Sequence, residues 1–379
     1  MAAEPAGRGA AAEQVPAGAA PDLDEKLLRL RAIGRDAGVT TLVLREQASL
    51  SWLLGGRSHV PQTLDSSCLD VVVHLDGARP RLTVLTNAIE APRLRDTELA
   101  GLDADWDVVP WWQPRDTRLP AGPGVAADRP YGDVLSVAGP VATTRRSLTA
   151  HQVSLLEDLC RDTAAAATAV AQRVSPHMSE YAVAALLGGE LLQRAADPVV
   201  LMVAGDDRIG PHRHPLPTSR PVGRRVMVVC CARRHGLVAS LTRTVVMGRL
   251  GTAEHDAYHR LLGVEQAFLD ATTAGARIGD VVADGTAAYA RYGFDALEWH
   301  RHHQGGFSGW VPREYPAHAG SDDVVPASSV VAWNPSGQGW KVEDTCLVGA
   351  GGARPLVADQ EWPTTTVGGR PRPDVLVLS

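Results

Sequence analysis

A chain of 379 residues exceeds what one ordinary hydrophobic core serves and suits two domains. Its 45% apolar and 21% charged residues are those of a soluble globular protein, and a net charge of −6 with no basic cluster excludes the electrostatic footprint of a nucleic-acid binder. No run of about 18 apolar residues occurs, so no membrane span is expected. The five cysteines (Cys68, Cys160, Cys230, Cys231, Cys346) are odd in number and lack C-x-x-C spacing, so neither a disulfide framework nor a zinc knuckle is indicated. Nearly all positive charge is arginine; Lys26 and Lys341 are the only lysines.

Residues Met1–Ala20 are Ala-, Gly- and Pro-rich without an apolar core and read as a disordered tail, not a signal peptide; the tail is placed at 1–22 and a cytoplasmic location is expected. Asp24–Ala37 has helical periodicity (Leu27, Leu28, Leu30, Ile33) closed by Gly38. Thr40–Leu44, Leu69–Leu75 and Leu82–Leu85 read as strands of an alternating α/β domain spanning 23–147. Turn-rich sequence follows, and from Leu148 a second domain, 148–379, begins. Leu148–Val174 is one long helix, and Ser179 caps another reaching about Arg194. Pro198–Ala204, Arg225–Cys231 and Leu237–Met247 are nearly continuous apolar strands, followed by helices at Ala253–Thr273 and Ile278–Tyr292. Val324–Val357 alternates short strands with Gly-rich turns, so helices covering one side of a curved antiparallel sheet account for the order.

Four stretches of the second domain stand in a telling order. They are Gly210-Pro211-His212-Arg213-His214-Pro215; Gly236 to Thr244, containing Ser240-Leu241-Thr242-Arg243-Thr244; His302 to Glu314; and Ala332-Trp333-Asn334-Pro335 with Gly339 to Thr345. They resemble the motifs of the creatinase, prolidase and aminopeptidase P family. The resemblance implies an α+β chain: a pita-bread catalytic domain preceded by a smaller α/β, creatinase-like domain. It also implies a homodimer whose cavity takes a small-molecule substrate.

Metal-bearing members of that family hold two ions through two Asp, one His and two Glu, the oxygen-rich set that hard cations need. Carried over one position at a time, the two Asp fall on Val229 and Ser240, the His on Gly306, and the first Glu on Asn334. Only the last Glu is kept, as Glu343. The resemblance therefore implies a member without the ordinary metal pair, and the expectation is no metal and no cofactor.

Creatinase itself is understood to work without metal through a histidine. In this chain that position is His212 without a gap, or His214 if two residues are deleted; the turn-like Pro215-Leu216-Pro217 favours His214. An imidazole titrating near pH 6.5 takes and returns a proton at neutral pH. Glu343 and Glu314 are expected to orient it or hold a cationic group, and His303, Arg243 and Trp333 to complete the pocket. Cys231 shares strand parity with Val229, which makes it a weaker nucleophile candidate. The expected activity is metal-independent hydrolysis of a C–N bond in a small, polar, nitrogen-containing molecule. Two other readings stand beside it: an inactive pseudo-peptidase that binds a peptide or protein, and a metallopeptidase with relocated ligands.

Overall fold

A computed structural model describes residues 21–56 and 67–379, so the tail expected at Met1–Ala20 lies outside the described residues. Backbone contacts divide the chain into two units, Met1–Arg145 and Arg146–Ser379.

The first unit opens with α1 (Leu23–Ala37), which buries the stripe Leu27, Leu30 and Ile33 and ends where Gly38 adopts φ 69°. That left-handed turn lets the Gly38 N–H reach back to the helix's last carbonyls, the role that favours glycine. Lys26 is buried in the same helix, with its Nζ 2.7 Å from Asp22 and 3.3 Å from the Leu53 carbonyl. Helices α2 (Gln47–Leu54) and α3 (Ala91–Asp96) accompany a six-stranded mixed sheet. Its strands are β1 (Thr41–Leu44), β2 (Leu69–His74), β3 (Arg81–Asn87), β4 (Asp105–Val109), β5 (Val125–Ala127) and β6 (Leu135–Ser136), in the order β4-β3-β2-β1-β5-β6. Antiparallel pairing joins β1 to β2 and β2 to β3, and the outer pairs are parallel. Helix α4 (Ala138–Arg146) then carries the chain to the division.

In the second unit α5 (Ala150–Ala171) starts on a capping box, Thr149 with Gln152. Helix α6 (Glu180–Gln193) starts on Ser179, whose hydroxyl accepts the Ala182 N–H at 3.1 Å. The main sheet has strands β7 (Asp197–Gly205), β8 (Arg225–Arg234), β9 (Leu237–Met247), β10 (Gly305–Phe307), β11 (Val330–Trp333) and β14 (Glu343–Gly349) in the order β10-β11-β14-β9-β8-β7. Two small strands, β12 (Ser336–Gly337) and β13 (Trp340–Lys341), form a hairpin between β11 and β14. Strand β15 (Gly352–Pro355) extends β14, β16 (Thr364–Val367) pairs with β17 (Arg370–Pro373), and β18 (Leu376–Leu378) runs parallel to β9. Helices α5 and α6 pack on β7–β9, while α7 (Thr252–Ala271) packs on β11 and β15 with α8 (Ile278–Arg291) beside it. This is the pita-bread arrangement: a curled antiparallel sheet with its helices applied to it.

Register decides which side chains share a face. Val229 pairs with Thr242, and Thr242 with Glu343; Cys231 pairs with Ser240. Directly opposed residues project to the same side and neighbours along a strand to opposite sides. One face therefore carries Val229, Cys231, Ser240, Thr242 and Glu343, and the other carries Cys230, Arg243 and Asp344.

That second face holds a buried chain of alternating charge. Arg243 Nη1 lies 2.8 Å from Asp344 Oδ1, and Arg372 Nη1 lies 2.7 Å from Asp344 Oδ2. Arg372 also grips Glu265 of α7 in bidentate fashion, at 2.8 and 2.6 Å. Two arginines and two carboxylates cancel in charge, and this allows them to be buried. Arg372→Ala strands Glu265 in the core and leaves Asp344 with Arg243 alone, so it is expected to lower the unfolding free energy by about 3–5 kcal/mol. Urea denaturation followed by circular dichroism checks this; a change near zero would show that the carboxylates stay solvated.

Candidate functional site

The positions that the resemblance assigns to metal ligands converge. Glu343 continues the register of β14 opposite the residue after Trp333, which is Asn334, and Gly306 pairs with Ala332. With Val229 and Ser240, the five positions share one face of the sheet. Gly306 sits at φ 142°, and a Cβ there would stand 3.1 Å from both the Tyr315 carbonyl and Ala317 Cβ. A larger side chain at this position requires the backbone to move.

Protein cations occupy the remaining carboxylate. Arg313 Nη2 lies 3.2 Å from Glu343 Oε1, Lys341 Nζ lies 3.6 Å from Oε2, and the Thr242 hydroxyl donates to Oε2 at 3.2 Å. Glu343 and Lys341 are both buried. A carboxylate so compensated is not free to hold a cationic substrate group, which corrects that part of the expectation for Glu343. Arg313 is further fixed by donating to the carbonyls of Gly306 and Ala332.

Three imidazoles meet beside this ion cluster. His214 Nε2 and His302 Nε2 are 3.1 Å apart, and the ring of His303 lies 5.3 Å from that of His214 and 4.7 Å from that of His302. His302 Nδ1 is 3.3 Å from the Ser336 hydroxyl. Tyr289 organises this end: its hydroxyl donates to Gln304 Oε1 at 2.8 Å and accepts the Ser336 N–H at 3.1 Å, while Gln304 Nε2 donates to the His302 carbonyl at 2.6 Å. Burial, reinforced by Arg313, His214 and Lys341, brings His303 down from 6.5 to about 4. Burial and the charge of Lys341 hold His302 far below the ordinary histidine range. His214 is exposed, yet partial burial of its ring, with Lys341 and Arg313, lowers it against the opposing pull of Glu343. All three are neutral at pH 7.

Several polar atoms of the site are buried without a hydrogen-bond partner among the described residues: His303 Nδ1, Arg313 Nε and Asn334 Oδ1. Buried polar groups are nearly always satisfied, so these three atoms have hydrogen-bonding capacity that a ligand's polar groups could meet.

Of the residues expected at the site, His214, His303 and Glu343 come together. His212 does not: it is exposed, and its N–H donates to the Arg208 carbonyl at 3.3 Å. Arg243 and Trp333 are corrections. Arg243 belongs to the buried charge chain of the helix-covered face. Trp333 stacks on Phe268 of α7 and donates to Thr272 Oγ1 at 2.9 Å, so it is core. Glu314 is half-buried, its N–H donating to the Phe307 carbonyl at 3.0 Å. Burial raises the thiol of Cys231 to about 11, and Cys230 is raised as well, which leaves both protonated. His302 and Ser336 were missed as site residues, and Arg313 and Lys341 were not expected among them. The signal for Lys341 lay in composition: in an arginine-rich chain, one of only two lysines stands two positions before Glu343.

The first unit resembles creatinase-like amino-terminal domains in its mixed α/β sheet, and the second carries the family signature. A model of metallopeptidase family M24 matches residues 154–353, more than half of the chain. The chain belongs to metallopeptidase family M24. Among solved structures it is similar to dipeptidase PepE from Mycobacterium ulcerans, at TM-score 0.73 and 17% identity over 95% of this chain and 100% of that one. It is also similar to the prolidase from Pyrococcus horikoshii OT3, at 0.73 and 14% over 89% and 99%, and to the Xaa-Pro dipeptidase from Bacillus anthracis, at 0.72 and 15% over 94% and 100%. At such identities these likenesses establish the fold. No curated protein sequence matches the chain.

The metal pair of the family does not fit the residues present. Valine and glycine side chains offer no donor, a hydroxyl and an amide are weak ones, and the single carboxylate is neutralised by two protein cations. His214, His302 and His303 have ligand atoms within 4.8 Å of one another, a set with the right chemistry for one softer ion. The positive charge of Arg313 and Lys341 that keeps a proton off these rings also opposes a dication among them.

Because His303 is depressed in the folded state, the unfolded chain binds more protons between pH 6.5 and about 4. Its contribution to stability is therefore full above pH 6.5 and declines as the pH falls toward 4. Arg313→Gln is expected to raise the His303 midpoint toward 6.5, read by NMR titration of the imidazole carbons; an unmoved midpoint would remove Arg313 from the electrostatics of the site.

Proposed function

We propose that this chain is a metal-independent hydrolase that cleaves a C–N bond of a small, polar, nitrogen-containing molecule. The observation that carries the proposal is the set of orphaned buried atoms beside a neutral histidine cluster. Arg313 Nε–H is a donor suited to a carbonyl oxygen, Asn334 Oδ1 is an acceptor suited to an N–H, and His303 Nδ1 serves in either role according to tautomer. An amide or amidine presents just such a donor and acceptor on adjacent atoms.

In the proposed reaction His214 Nδ1, the ring nitrogen not engaged with His302 Nε2, removes a proton from water as the oxygen attacks the substrate carbon. Negative charge then develops on the former carbonyl oxygen, where Arg313 and Lys341 supply positive charge in place of a metal. Collapse of the tetrahedral intermediate breaks the C–N bond, and the proton on His214 passes to the departing nitrogen. Contact with His302, itself tied to Ser336, orients the His214 ring. Glu343 keeps Arg313 and Lys341 in place and moderates their charge. A homodimer in the cytoplasm completes the proposal.

Chelator-treated protein should turn over at least one member of a panel of dipeptides, amides and amidines as fast as untreated protein does. His214→Ala should lower kcat by about 10²–10⁴-fold, the usual contribution of a general acid–base group. His212→Ala should leave it unchanged. Activity that vanishes on chelation would overturn metal independence, and full turnover by His214→Ala would overturn the proton shuttle. Saturable binding of panel members without turnover would favour the pseudo-peptidase reading.

A further inference from the structure

Helix α7 carries a second group of potential ligands with a character opposite to that of the cavity. His255 and His259 lie four residues apart, on one face of the helix, and their rings are 4.2 Å apart between centroids. Both aim Nε2 at one oxygen of Asp374, in the segment between β17 and β18: His255 at 3.2 Å and His259 at 3.3 Å from Oδ2. The three ligand atoms all lie within 4.8 Å of one another. We propose that His255, His259 and Asp374 form a site for a single zinc-class divalent ion, with water as its fourth ligand.

Spacing supports the assignment. A tetrahedral ion with nitrogen and oxygen ligands at about 2.0–2.1 Å sets neighbouring ligand atoms roughly 3.3 Å apart. The two measured nitrogen-to-oxygen separations match that edge, and the two ring nitrogens lie within 4.8 Å of each other, so side-chain adjustment on α7 suffices to close the third edge. Each ring binds through the Nε2 lone pair as the tautomer with its proton on Nδ1. No net proton is lost, and the two Nε2–H contacts to Asp374 are exchanged for two metal bonds and one carboxylate bond.

The carboxylate is also held from behind, as a ligand requires. Asp374 Oδ1 accepts the Val375 N–H at 2.7 Å, leaving Oδ2 for the ion. Its backbone N–H donates to the Pro363 carbonyl at 2.8 Å, and its own carbonyl accepts Trp362 Nε1 at 2.9 Å. Tyr258, between the two histidines, donates to the Pro373 carbonyl at 2.7 Å, and Arg372 is locked to Glu265. Helix and segment are thus already joined, and the ligands are fixed before an ion arrives.

Charge separates this group from the cavity cluster. Among the described residues the only ion-pair partners of Asp374 are these two imidazoles, whereas the cavity imidazoles face Arg313 and Lys341. Side-chain exposures of 42% for His255, 34% for His259 and 19% for Asp374 leave the site open to ions from solvent. The ion would clamp the carboxyl-terminal segment to α7 and take no part in the chemistry at Glu343.

The full chain, stripped with chelator, is titrated with Zn²⁺ alone and separately with Co²⁺ alone. The expected result is one ion per chain, with the visible absorption of tetrahedral Co²⁺. His255→Ala combined with His259→Ala should weaken binding by at least about 100-fold and Asp374→Asn by about 10-fold or more, while His302→Ala leaves it unchanged. Without metal the α7 and Asp374 variants should still unfold in a single cooperative transition, because the Tyr258 and Arg372 contacts persist. Absence of stoichiometric binding would overturn the proposal. So would binding that survives the double substitution but disappears in His302→Ala, which would place the ion in the cavity.

Discussion

The second unit is organised around a carboxylate held between two protein cations. Glu343 stands at a position that the resemblance assigns to a metal ligand, and in this chain Arg313 and Lys341 meet it at opposite oxygens. A buried carboxylate must be compensated, whether by metal ions or by side chains. Once arginine and lysine supply the charge, the neighbouring positions have no need of acidic partners, and Val229, Ser240, Gly306 and Asn334 are compatible with the site. The same two cations set the state of the imidazoles: positive charge at close range, added to burial, keeps His302 and His303 unprotonated.

The sheet separates two kinds of charge by alternation alone. Thr242 and Glu343 face the site, while their chain neighbours Arg243 and Asp344 face the helices. The inner chain Arg243–Asp344–Arg372–Glu265 is neutral and buried, although Asp344 Oδ2 and Arg372 Nη1 meet as an ion pair without hydrogen-bond alignment. The outer group leaves donors and acceptors without partners. A sheet two layers deep in charge can thus be rigid on one side and available for a ligand on the other, because the pleat prevents the two sets from exchanging partners.

The two histidine groups of the second unit differ in the same way. Those in the cavity are assembled from distant segments, β10's approach and the loop after β7, and sit among cations. Those on α7 come from one helical turn and share a carboxylate. Identical side chains therefore stand in opposite electrostatic settings, beside cations in the first group and beside a carboxylate in the second.

Much was legible in the sequence. Apolar periodicity and capping residues gave the helices and strands of the second unit, since Ser179, Thr149 and the long apolar runs act locally. The ordered motifs gave the family, and with it the pita-bread sheet and the missing ligand carboxylates. The convergence of His214 with His302, 88 residues away along the chain, and with the adjacent His303 came only from the tertiary structure, because no local rule links a loop after β7 to the entrance of β10. The withdrawal of Arg243 and Trp333 into the helix-covered core was likewise decided by register, since a shift of one residue sends a side chain to the other face. Sequence determined which chemical groups are present; the three-dimensional pairing of strands determined which of them meet, because electrostatic partnership depends on distances that chain order does not encode.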